Sequence, residues 1–219
     1  MKKERRFINC ENFELRAEGD EKPTLVGRVS LFDNPAVIGS FTEIFRSKAF
    51  SRAIKEKQDV RALKNHDVNL LLGRTKNKTL DLAEDDKGLL MIASPPNTQT
   101  ARDTIEEVRE GYIDEMSFSF TVPKGGEKWS TVDGKTLREI FDADLFDVSV
   151  VTYPAYGKTS ASVRSEEIRS AEEVYSDYIK SVEELPGDNS TAGDEVSNQT
   201  RQSLIAAKLK IKEMIVKGN

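Results

Sequence analysis

Short runs in which apolar and polar residues alternate dominate the chain from Arg5 to Val163, and a period of two predicts strands. "TLVGRVSLFDNPAVIG", Thr24–Gly39, reads as strand and loop, because β-branched residues are followed by an Asp-Asn-Pro break. "DVRALKNHDVNLLLGRT" predicts a strand, a loop at Asn65-His66-Asp67, and a second strand ending at Gly73. "TLDLAEDDKGLLMIASP" predicts a hairpin turning at Glu84–Gly88, and "KGGEKWSTVDGKTLREI" a loop and another hairpin. "DEMSFSFTV" and "DADLFDVSVVTYPA" alternate most clearly, the latter broken by Pro154. Helical spacing appears twice within this stretch. "SKAFSRAIKEK", Ser47–Lys57, sets Phe50 and Ile54 on one face. "TARDTIEEVREGYI" sets Ile105, Val108 and Tyr112 on its apolar side, with Gly111 as a stop.

After Val163 the pattern changes. Residues 164–185 are charged and helical, 186–200 are a linker by composition, and 201–219 form a terminal amphipathic helix with Leu204, Ile205, Ile211 and Ile215. The expected organisation is therefore a domain over 1–163 followed by helix, linker and helix. Many short strands with few helices predict a mainly β domain with flanking helices, built as a bent β-barrel or strongly curved sheet.

Composition narrows the chemistry. The chain has 219 residues, 32% charged, with a formal net charge of -5, which argues against a nucleic-acid binder. The basic start "MKKERR" has no apolar run behind it, and no stretch approaches the roughly 18 apolar residues of a membrane span. The expectation is a protein free of membrane and nucleic acid. There is one cysteine, Cys10, and one histidine, His66, so a cysteine zinc cluster or a multi-histidine metal site is excluded within one chain. No cofactor is expected, since no P-loop, dinucleotide fingerprint, H-E-x-x-H or G-x-S-x-G elbow occurs.

A nucleophilic serine needs a base, and the base needs a partner that fixes its tautomer. The one available imidazole is His66, in "KNHDVN". In "EMSFSF", Met116, Phe118 and Phe120 share one face while Ser117, Ser119 and Thr121 share the other, so periodicity does not separate the two serines. In "LFDVSVV", Leu145, Asp147, Ser149 and Val151 share a face. An aspartate in so apolar a strand needs a partner. An imidazole N–H, an arginine such as Arg138, or solvent would each serve.

Taken in order, these pieces resemble the prohead maturation proteases of tailed bacteriophages. The matching stretches are "LKNHD" then "LLGRT", "TLDLAEDDKGLLMIASPP", "TARDTIEEVREGYIDEMSFSF" and "REIFDADLFDVSVVTYPAY", spread over about Arg5 to Val163. The resemblance implies a serine endopeptidase with a bent barrel like that of the herpesvirus maturation protease. It implies His66 as base, Ser117 as nucleophile and Asp147 as third member, with Asp67, Asp142 and Asp144 as rivals for the last role. Two departures stand out: Ser119 where the family often has glycine, and Asp147 where glutamate is common. The implied substrates are scaffold and capsid-protein extensions and the chain itself, so the implied partners are the major capsid protein with its scaffolding region, and other copies of the chain. The implied place is the assembling procapsid in the host cytoplasm. A scaffolding protein that keeps the fold without catalysis is the alternative. A small-substrate esterase has little support without the elbow motif.

Overall fold

The computed structural model of the chain describes residues 3–9, 14–16, 23–152 and 169–183. The strands are β1 (Glu4–Asn9), β2 (Glu14–Arg16), β3 (Thr24–Leu31), β4 (Ala36–Ile38), β5 (Phe41–Phe45), β6 (Arg61–Lys64), β7 (Asp67–Arg74), β8 (Leu80–Glu84), β9 (Gly88–Ala93), β10 (Glu115–Thr121), β11 (Glu127–Val132), β12 (Lys135–Ile140) and β13 (Asp144–Val151). The helices are α1 (Ser51–Lys55), α2 (Gln99–Arg109) and α3 (Ala171–Glu183). The prediction of a mainly β chain with a few helices holds. The barrel is corrected: the described strands form three sheets, ordered β1-β10-β13-β6-β7, β11-β12-β5-β4 and β2-β3-β9-β8, and none closes on itself. Expected boundaries shift as well. The helix read over Ser47–Lys57 is confined to Ser51–Lys55. Tyr112, assigned to the apolar side of α2, lies past its end and is 75% exposed. The linker 186–200, the terminal helix 201–219 and Cys10 lie outside the described residues.

The chain divides into two compact units. The first comprises Met1–Asn34, Ile44–Lys128 and Glu139–Arg169 and contains the β10–β13 pair. Its core forms because the odd and even positions of β10 and β13 separate: Met116, Phe118, Phe120, Val148 and Val150 all point inward and are at most 2% exposed. Phe118 and Phe120 meet Phe45 edge-on, with ring centroids 5.4 and 5.2 Å away, and Phe50 stacks on Phe45 at 5.4 Å. Each such ring contributes about 1.5–3 kcal/mol by burial alone, so truncating Phe118 to alanine costs about 3–5 kcal/mol. This aromatic layer fixes the backbone whose opposite face carries the serines.

The second unit comprises Pro35–Glu43, Trp129–Arg138 and Ser170–Asn219. Within it, Phe41 (3% exposed) packs with Val174 (4%) and Tyr175 (2%) of α3. Trp129 stacks on Tyr178 with centroids 4.4 Å apart and planes 9° apart. Arg138 and Glu43, 1% and 2% exposed, pair at 2.8 Å, so each buried charge has an opposite partner.

Candidate active site

Strand register brings the polar side chains of the first unit together. β10 pairs antiparallel with β13, setting Ser117 opposite Ser149 and Ser119 opposite Asp147. Cross-strand partners share a face, so all four side chains rise from the face opposite the phenylalanines. On the other side of β10, β1 sets Phe7 opposite Ser117 and Arg5 opposite Ser119. β6 runs parallel to β13, with Lys64 at the level of Val150.

The turn after β6 delivers the histidine. Lys64 pairs with Asp67, which leaves Asn65 and His66 as a two-residue hairpin loop, with φ of 53° and 58°. Positive φ at both central residues is the hairpin geometry that suits the twist of the strands, and asparagine and histidine are among the side chains that tolerate it best. Asn65 anchors the turn: its N–H donates to the Val150 carbonyl (2.9 Å), and its Oδ1 accepts from the Thr152 N–H (3.1 Å). The imidazole is thereby folded back over β13 and β10.

There, Nε2 of His66 lies 2.5 Å from Oγ of Ser117, and Nδ1 lies 2.5 Å from Oδ1 of Asp147. This arrangement assigns the proton to Nδ1, which donates to the carboxylate, and leaves Nε2 to accept from the Ser117 hydroxyl. Ser149 donates to Oδ1 of Asp147 at 2.8 Å, and its oxygen is 3.2 Å from Nδ1. Ser119 lies on the same nitrogen, at 3.5 Å, and accepts from Nε of Arg5 at 3.2 Å. The two serines that periodicity could not separate therefore face different ring nitrogens. Phe7 meets the imidazole edge-on, with centroids 6.2 Å apart and planes at 85°.

The pocket is dry. Ser117 has no exposed surface, and the His66 and Asp147 side chains are 6% and 11% exposed. Burial pushes the Asp147 carboxyl upward, but the hydrogen bond and charge of His66, with the hydroxyls of Ser119 and Ser149, outweigh it and hold the group below the usual carboxylate range. Burial lowers the Arg5 guanidinium from its ordinary value, opposed by the charge of Asp147. A hydroxyl bonded to an imidazole whose far nitrogen is held by an ionised carboxylate can transfer its proton and attack an electrophilic carbon.

The rival carboxylates are engaged elsewhere. Asp67 accepts from the Asn69 N–H at 2.8 Å, while Asp142 and Asp144 bind Arg52 at 2.8 and 2.6 Å. Arg138, an alternative partner for Asp147, is paired with Glu43. Sequence reasoning missed Arg5, Phe7, Asn65 and Ser149. For Ser149 the signal was present in the two-residue spacing from Asp147. For Asn65 it was the Asn-His pair between two strand patterns. Arg5 and Phe7 reach the site through pairing across more than a hundred residues, which no local pattern announces. Among the described residues no group of three or more histidine, cysteine, aspartate or glutamate side chains is placed to hold a metal.

The sequence profile of the caudovirus prohead serine proteases matches residues 11–174. No curated protein matches the chain. Among solved structures, the capsid assembly protease of bacteriophage T4, gp21, aligns at 8% identity with a TM-score of 0.41, covering 69% of this chain and 99% of that one.

Proposed function

The chain belongs to the caudovirus prohead serine protease family, and from that premise we propose that it is a serine endopeptidase in which Ser117, His66 and Asp147 form the catalytic triad. The observation that carries this reading is the continuous path from Ser117 Oγ through His66 Nε2 and Nδ1 to Asp147 Oδ1, with 2.5 Å at each end. The Ser117 hydroxyl loses its proton to Nε2 as Oγ adds to the scissile carbonyl carbon. The imidazolium then formed is stabilised by the Asp147 carboxylate. When the C–N bond breaks, His66 returns the proton to the leaving amine and an acyl-Ser117 ester remains. Water, deprotonated by the same nitrogen, hydrolyses the ester and restores the serine. Ser119 and Ser149 hold the carboxylate rather than attack.

The substrates in this reading are scaffold and capsid-protein extensions and the chain's own C-terminal region, cut inside the procapsid. A likeness in shape to the herpesvirus maturation protease, in bent rather than closed sheets, belongs to the same reading. Co-expression with the capsid protein of the same phage tests the proposal: wild type is expected to shorten the capsid protein and itself by intact mass, and Ser117→Ala to shorten neither. Full-length products with both chains would favour a non-catalytic scaffold.

A further inference from the structure

The hydroxyl face of β10 also carries Glu115, two residues before Ser117. Its Oε2 is shut off from solvent and has no hydrogen-bond partner. Burial and the like charge of Asp114 both push its carboxyl above the ordinary value, and no positive charge opposes them. Two cations of the same sheet are engaged elsewhere: Arg5 donates to Ser119, and Lys64 pairs with Glu107 at 2.5 Å. A carboxylate oxygen kept from water without a partner is costly until a donor reaches it.

The register shows what could reach it. Along one face of β10 stand Ser119, Ser117 and Glu115, at steps of about 6.7 Å. Asp147 sits on the rung of Ser119, Ser149 on that of Ser117, and Val151 on that of Glu115. The proton path therefore runs from the Ser119 rung toward the Ser117 rung, with Glu115 next in the same direction. A substrate whose carbonyl reached Ser117 Oγ on this face would bring its neighbouring residues within reach of the Glu115 rung. A negative charge there would oppose an oxyanion, so Glu115 is no part of an oxyanion hole. It suits a cation brought by the substrate.

We propose that Glu115 forms a subsite for a lysine or arginine side chain of the substrate, on a residue flanking the scissile bond. This rests on Ser117 being the nucleophile, and it adds the charge class of the cleavage site. An ammonium or guanidinium would supply the donors that Oε2 lacks.

The test uses the full-length chain and peptide series that differ only in carrying lysine, glutamine or glutamate at each of the two residues on either side of the scissile bond. A fluorophosphonate probe reports Ser117 reactivity independently of peptide sequence. Wild type is expected to prefer lysine over glutamine at one flanking position by about tenfold to a hundredfold in kcat/KM. Glu115→Gln is expected to collapse that ratio, and Glu115→Lys to turn it toward the glutamate peptide. If Ser117 takes the probe and wild type cuts without charge preference, or cuts none of the peptides, the subsite is overturned while the nucleophile stands. If wild type neither takes the probe nor cuts any peptide, the protease reading falls and the subsite with it. Wild-type selectivity alone decides the matter should either variant fail to fold.

Discussion

Ser119 and Ser117 lie on the same face of one strand, yet Ser117 meets Nε2 of His66 at 2.5 Å while Ser119 lies 3.5 Å from Nδ1. In the proposed mechanism the ring accepts a proton at one nitrogen and holds Asp147 with the other, which gives the two hydroxyls unequal roles. Ser117→Ala is expected to lower peptide hydrolysis by about 10⁴- to 10⁶-fold with the fold retained. Ser119→Ala removes a hydroxyl bonded by Arg5 and turned to Asp147. Its expected cost is about tenfold, in line with one lost charge-assisted hydrogen bond. Steady-state kinetics on one peptide, with circular dichroism as the fold control, separates the two. An inactive Ser119→Ala beside an active Ser117→Ala would reverse the assignment.

Asp147 couples the site to acid stability. Its folded carboxyl is held below the usual range, first against burial and then by His66, Ser119 and Ser149. The fold therefore favours the ionised form. The resulting stability is fully present above the unfolded value of about 3.9 and is lost as pH falls through the lower folded value. Asp147→Asn carries no such charge. In urea denaturation the advantage of wild type over Asp147→Asn is expected to be largest near neutral pH and to shrink below about pH 4. The same variant is expected to lose up to about 10⁴-fold in rate, because the amide no longer fixes the proton on Nδ1.

What the sequence shows of this site follows from which of its relations are local. Alternation along "EMSFSF" and "DVSVV" is local, so the division between a phenylalanine core and a polar face was readable. The distribution of Ser117 and Ser119 between two nitrogens depends on where the hairpin after β6 lands, and a parallel pairing between β6 and β13 decides that. Curvature is no more local. Alternation specifies strands but not whether their sheets close, and the expected barrel resolves into three open sheets. α3 illustrates a third limit. Its charged sequence reads as a helix outside the domain over 1–163, but Val174 and Tyr175 bury one side of it against Phe41.

Asn65 serves both backbone and side chain, and two substitutions divide the roles. At φ of 53° an alanine is strained by about 1–2 kcal/mol, whereas glycine is not. Both lose the bonds from Thr152 to Oδ1. Asn65→Ala is expected to lower stability more than Asn65→Gly in chemical denaturation. Both are expected to lower kcat, because the turn that carries His66 loses its tie to the chain beyond β13. Unchanged kcat in both would mean that the backbone bond to Val150 alone positions the ring.

The C-terminal region offers the sharpest division. α3 contributes Val174 and Tyr175 to a cluster with Phe41, and Tyr178 stacks on Trp129, the chain's one tryptophan. Emission from Trp129 therefore reports on the second unit, which holds no member of the proposed triad. A chain ending after Leu185 keeps α3, so its emission is expected to match the full-length protein. A chain ending after Val163 loses α3 and uncovers Phe41 and Trp129. Its emission is expected to shift to the red, with a loss of stability of about 3–5 kcal/mol, the scale of removing one large buried aromatic side chain. Tyr175→Ala in the full chain should reproduce most of that loss without shortening the protein. If the chain ending after Val163 keeps native emission and stability, α3 is a dispensable tail. If only the shorter chain changes, self-processing that preserves the fold must cut beyond Glu183, and the intact mass of the processed protein would show it.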